Sequence, residues 1–120
     1  MVWNEVCGVP KILTLALVAV CLPAFLTPVR AEDELTFTIE FHDGKVDPVR
    51  LEVPANRRFK IELRNSGDTP AEFESGELRK EKVLAPNSTA VLVIKSLDAG
   101  EYTFFDDFHP DAPKAVLVAK

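Results

Sequence analysis

Polar and apolar residues alternate with period two through most of the chain beyond residue 34, the spacing of half-buried β-strands. Leu35-Thr36-Phe37-Thr38-Ile39-Glu40-Phe41 is the first such run, and Val49-Arg50-Leu51-Glu52-Val53 is the second. Arg58 to Asn65 alternates most cleanly, with Phe59, Ile61 and Leu63 on one side and charges on the other. Ala71-Glu72-Phe73-Glu74 predicts a short strand with Phe73 on one face and both glutamates on the opposite face. Glu77 to Leu84 fits either a helical turn or an irregular strand. Thr89 to Ile94, Glu101 to Phe105 and Ala115 to Val118 complete the set of predicted strands. Turn chemistry separates them: His42-Asp43-Gly44-Lys45, Pro54-Ala55-Asn56-Arg57, Ser66 to Pro70, Pro86-Asn87 and Asp98-Ala99-Gly100. The pattern predicts an all-β chain of seven to eight strands with almost no helix, folded as an antiparallel Greek-key β-sandwich. There is no internal repeat and no low-complexity linker.

The opening of the chain follows another rule. Ile12 to Leu26 is almost wholly apolar, shorter than the roughly 20 residues of a membrane span, and it contains Pro23. Val29-Arg30-Ala31 then resembles a signal-peptidase site. Residues 1–31 are therefore expected to be a signal peptide, and 32–120 the folded domain. An uncleaved anchor is the alternative. A lipid attachment at Cys21 is disfavoured by the bulk of Val20 before it.

Charge and sulfur content narrow the chemistry. The whole chain carries a formal net charge of −5, and loss of Lys11, Arg30 and Glu5 with the leader takes this to −6. That sign argues against nucleic acid and anionic lipid as partners. Both cysteines, Cys7 and Cys21, lie in the expected leader, so the mature domain has no disulfide and no thiolate ligand. This excludes blue-copper, cysteine-zinc and iron–sulfur centres. No Ser/His/Asp or Cys/His nucleophile pattern and no glycine-rich phosphate loop is visible, which argues against hydrolysis.

The candidate chemistry gathers near the C-terminus. In Tyr102-Thr103-Phe104-Phe105-Asp106-Asp107-Phe108-His109-Pro110-Asp111 an aromatic strand leads into carboxylates and a histidine. Asp106, Asp107, His109 and Asp111 offer hard or borderline ligands for Fe, Mn, Cu(II) or Zn. The competing reading is a turn whose acids accept N–H bonds from their own neighbours. A second acidic group is Glu72, Glu74, Glu77 and Glu81, of which Glu72 and Glu74 share a strand face. It is either a solvated face balanced by Arg79, Lys80 and Lys82, or an edge that meets the Asp106–His109 corner at one end of the sandwich. His42, the remaining histidine, sits at a strand-to-turn junction and reads as a surface residue.

Three stretches carry a family resemblance. They are Asp43-Gly44-Lys45-Val46-Asp47-Pro48 with Leu51-Glu52-Val53-Pro54-Ala55; Pro70-Ala71-Glu72-Phe73-Glu74-Ser75 with Glu77-Leu78 and Glu81-Lys82; and Gly100 to Pro110. In this order the chain resembles the small cupredoxin-like domain of bacterial periplasmic iron-uptake systems, from about Thr36 to Lys120. The resemblance implies a cupredoxin sandwich and a periplasmic location. It also implies copper and/or iron as the bound ion, and a place beside a membrane iron permease and a periplasmic metal-binding partner. The implied role is to help oxidise or deliver ferrous iron, a ferroxidase-like activity. The chain departs from electron-transfer cupredoxins at Ala71, where those have histidine, and at Asp106, where many have cysteine. Val46 stands where some relatives carry another cysteine. Glu72 matches, and Asp106 matches by position with changed chemistry. Glu74, Glu77, Glu81, Asp107 and His109 join the expected ligand set by proximity. The rival expectation is a metal-free module that docks on the permease or on a periplasmic partner.

Overall fold

The computed structural model describes residues 26–28 and 33–120; the expected signal peptide, its cleavage point and both cysteines fall almost wholly outside them. Residues 33–120 contain nine strands and no helix. These are β1 (Thr36–His42), β2 (Lys45–Asp47), β3 (Arg50–Val53), β4 (Phe59–Asn65), β5 (Ala71–Ser75), β6 (Lys80–Leu84), β7 (Ser88–Ile94), β8 (Gly100–Asp106) and β9 (Ala115–Ala119). They form two sheets, ordered β2-β1-β4-β7 and β3-β9-β8-β5-β6. The all-β sandwich expected from the alternation is what forms.

The strand count exceeds the expectation by one, and one ambiguous stretch is settled. Lys45–Asp47, of which the sequence pattern assigns only Lys45, to a turn, pairs back on β1 with His42 opposite Lys45. Its two-residue link is Asp43-Gly44, with φ of 45° and 89°. An Asp-Gly pair with both residues at positive φ matches the twist of a tight hairpin. Lys80–Leu84 settles the helix-or-strand ambiguity as a strand, because it lies in register against β5.

One expectation is corrected. The sandwich is not purely antiparallel: β1 pairs β4 in parallel, and β3 pairs β9 in parallel. The chain crosses between sheets after β2, β3, β4, β6 and β7. A strand that returns after visiting the other sheet can lie alongside its neighbour in either direction. Alternation assigns a residue to a face and says nothing of strand direction.

The core lies between the sheets. Ile39, Phe41, Phe59, Ile61, Leu63, Leu92 and Ile94 fill it from one side. Val53, Ala71, Phe73, Leu84, Phe104, Ala115, Leu117 and Ala119 fill it from the other. Phe73 and Phe104, on adjacent strands, stack with centroids 5.3 Å apart. Burying a phenylalanine of this kind is worth about 1.5–3 kcal/mol relative to leaving it exposed. These rings anchor the strands from which the candidate site residues project.

Candidate functional site

The candidate residues divide between the two faces of the five-stranded sheet. In β5 the burial alternates, with Ala71, Phe73 and Ser75 inward and Glu72 and Glu74 outward. The β5–β8 register sets Phe73 opposite Asp106 and Glu74 opposite Phe105. The next position sets Asp107 beside Glu72, where the Asp107 N–H donates to the Glu72 carbonyl at 3.0 Å. On the other side of β5, Glu81 stands opposite Glu74. The outer face thus gathers Glu72, Glu74, Glu81 and Asp107. Ligand oxygens of Glu72, Glu74 and Glu81 all lie within 4.8 Å of one another.

This outer group is electrostatically unbalanced. None of the ion pairs among the described residues involves these four acids, so the expected neutralisation by Arg79, Lys80 and Lys82 does not occur through direct pairing. Like charges opposite each other in a sheet are unfavourable. Partial burial, and then the negative charges of Asp107, Glu81, Glu74 and Asp106, push the Glu72 carboxyl above its ordinary value. Glu77 is exposed in the β5–β6 connection and stands outside the group. Asp111 is exposed in the loop after β8.

Asp106 has a different environment. It is 1% exposed and points into the sandwich. Its Oδ1 accepts the backbone N–H of Glu72 at 2.9 Å and of Phe108 at 3.1 Å. Its Oδ2 lies 2.7 Å from His109 Nδ1. A carboxylate oxygen accepts, so Nδ1 carries the hydrogen and the imidazole tautomer is set by Asp106. His109 Nε2 lies 3.4 Å from the Thr69 hydroxyl, and that hydroxyl donates to Asp43 Oδ1 at 2.9 Å. Asp43 Oδ1 also accepts the N–H groups of Asp68 at 2.9 Å and Thr69 at 3.1 Å. The Thr69 hydroxyl, followed by these N–H groups, holds the Asp43 carboxyl below its usual value. The His109 ring rests on Gly44, where an added Cβ would lie 3.2 Å from ring carbon Cδ2.

Two expectations are therefore corrected. Glu72 and Asp106 do not close on one cation, because their side chains leave the sheet on opposite faces and only the Glu72 backbone reaches Asp106. Asp106, expected as a metal ligand, is buried and its oxygens are already engaged by N–H donors. Asp106 follows the turn-capping alternative. His42 is exposed, as expected, with Nδ1 3.1 Å from the Ser66 hydroxyl. The contacts of Thr69 and Asp43 escaped the sequence reading. They join residues 26 and 40 positions apart, and no local motif announces them.

Residues 12–119 match the sequence profile of the cupredoxin-like domain. The chain belongs to that family. An uncharacterized protein of Rickettsia prowazekii (strain Madrid E) is 33% identical over 84 residues, which cover 70% of this chain and 67% of the relative. Among solved structures, dithionite-reduced auracyanin from Roseiflexus castenholzii superposes with a TM-score of 0.62 at 12% identity, over 72% of this chain and 98% of its own. Auracyanin A of Chloroflexus aurantiacus, a blue copper protein, gives 0.62 at 16% identity, over 72% and 99%. A purple cupredoxin of Nitrosopumilus maritimus gives 0.53 at 15% identity, over 70% and 99%. At these identities the similarity establishes the cupredoxin fold and nothing about the bound ion.

A blue-copper centre does not fit this cupredoxin-like domain. Such a centre takes two imidazoles and a thiolate, usually with a weak thioether. The described residues contain no cysteine and no methionine. At Asp106 the carboxylate is consumed by three N–H donors, and Ala71 has no donor side chain. The outer carboxylates are another matter. They form an all-oxygen set suited to hard cations such as iron or manganese.

Proposed function

We propose that this cupredoxin-like protein is exported to the periplasm and binds iron, or copper in its place, as a component of ferrous iron uptake. Iron is its cargo. The carboxylates of Glu72, Glu74 and Glu81, with Asp107 beside them, hold the ion and present it to a membrane iron permease. A periplasmic metal-binding partner completes the route. The observation that carries this reading is the convergence of three carboxylates within 4.8 Å, none of them in an ion pair among the described residues. A cation relieves the repulsion that, after partial burial, raises Glu72. Carboxylate oxygens favour Fe(III) over Fe(II), so the same set biases bound iron towards oxidation, with the electron passing to an acceptor outside this chain. The family resemblance in the Pro70–Ser75 and Gly100–Pro110 stretches supports the iron-uptake setting.

Calorimetric titration of residues 32–120 with Fe(II) under anaerobic conditions, and with Cu(II), tests the reading. The parent is expected to bind. Glu72→Gln and Glu74→Gln are expected to weaken binding more than tenfold, about 1.4 kcal/mol. Glu101→Gln, whose carboxylate pairs with Arg50 at 3.5 Å on the same sheet, is the control and should bind like the parent. A parent that takes up neither ion overturns the proposal in favour of a metal-free docking module, which the engaged state of Asp106 favours as the second reading.

A further inference from the structure

We propose that Asp106 and His109 form a metal-free clasp, a buried carboxylate–imidazole pair that closes the corner which copper-binding cupredoxins give to their metal. Four observations carry this. Every Asp106 contact is an N–H donor: Glu72 at 2.9 Å, Phe108 at 3.1 Å and His109 Nδ1 at 2.7 Å. Among the described residues no buried side-chain nitrogen or oxygen lacks a partner, so the buried Asp106 oxygens are already satisfied within the protein. The His109 ring packs on Gly44, and its Nε2 meets Thr69, which bonds to Asp43. One chain of contacts thus joins the β1–β2 turn, the β4–β5 loop and the β8–β9 loop, and spans both sheets.

The polarity of the corner favours this assignment. Backbone N–H groups aimed inward make a setting for an anion, and the Asp106 carboxylate fills it. An entering cation would face the positive ends of those N–H dipoles. It would also have to break a 2.7 Å hydrogen bond in a site of low solvent access. The clasp shares no side-chain hydrogen bond with the outer carboxylates, whose side chains leave the opposite face of the sheet.

The test uses residues 32–120 carrying Glu72→Gln, Glu74→Gln and Glu81→Gln, so that any outer cation site is removed first. In this background, nitrogen-15 NMR should show a slowly exchanging His109 Nδ1–H resonance that one equivalent of Cu(II) leaves sharp. Chelator should not move the melting midpoint. Asp106→Ala should lower that midpoint by on the order of 10 °C or more. Asp106→Asn should lower it less, because its amide oxygen still accepts the Glu72 and Phe108 N–H groups. If Asp106→Ala does not fold, Asp106→Asn and His109→Ala provide the comparison, each melting below the background protein. Cu(II) that broadens His109 and raises the midpoint, with both effects lost in His109→Ala, would replace the clasp with a metal site. Asp106 and His109 variants that all melt with the background protein would show that the pair holds nothing together.

Discussion

Asn65 sets the frame on which the clasp rests, and its replacement has a calculable consequence. It ends β4 at 2% exposure. One Nδ2 hydrogen serves the Thr69 carbonyl at 2.9 Å, and the other is shared between the carbonyls of Ala85 at 3.2 Å and Leu84 at 3.3 Å. Oδ1 accepts the Gly67 N–H at 3.0 Å. The side chain therefore makes three effective hydrogen bonds and joins the β4–β5 loop to the chain leaving β6. At about 1 kcal/mol per bond, Asn65→Ala should cost roughly 3 kcal/mol. For a domain of this size that is a fall in melting temperature of about 12–24 °C. Asn65→Asp is the sharper probe. It keeps an oxygen for Gly67 but turns a second oxygen towards three carbonyls. Near neutral pH it should be no more stable than Asn65→Ala. On acidification it should recover relative to Asn65→Ala, because a protonated carboxyl regains one donor. Urea unfolding followed by circular dichroism at several pH values measures both effects. An Ala variant within about 0.5 kcal/mol of the parent would refute the hydrogen-bond accounting. So would an Asp variant that matches the parent at neutral pH.

Glu72→Gln should raise the melting midpoint near neutral pH in metal-free protein. The folded state holds the Glu72 proton more tightly than the unfolded chain does, so stability falls as pH rises through the raised value. Melting curves of parent and variant should converge towards acid. Asp43 works in the opposite sense: its depressed carboxyl contributes stability that is present above its unfolded pKa and lost as pH falls through the folded one. Thr69→Val removes the hydroxyl that contributes most to this, so acid unfolding should begin at higher pH, as an acid titration followed by circular dichroism would show. Gly67→Ala should destabilise by about 1–3 kcal/mol by overpacking. The added Cβ would lie 2.6 Å from Asp43 Oδ1 and 2.7 Å from its backbone nitrogen, and denaturant unfolding reads the loss.

Much of the fold is written locally. Alternation placed Phe59, Ile61 and Leu63 inward and set Phe73 against Glu72 and Glu74, as the structure has them. The Asp43-Gly44 pair marked a turn, and the short strand that makes it a hairpin is recognisable only through its pairing with β1. Residues 32–120 contain no sulfur, so the sequence alone removes a thiolate ligand from that stretch. Tertiary structure decided which acids share a face. Period two tells a side chain its face but not its partner across the sheet, and the β5–β8 register was needed to part Asp106 from Glu72. It also decided that β1 and β4 run parallel, since an apolar stripe reads the same in both directions. The contacts from Asp106 to Glu72 and from His109 to Thr69 span 34 and 40 residues. Such pairs meet only after both sheets have closed over the shared core, because burial of that core supplies the free energy that holds the loops together.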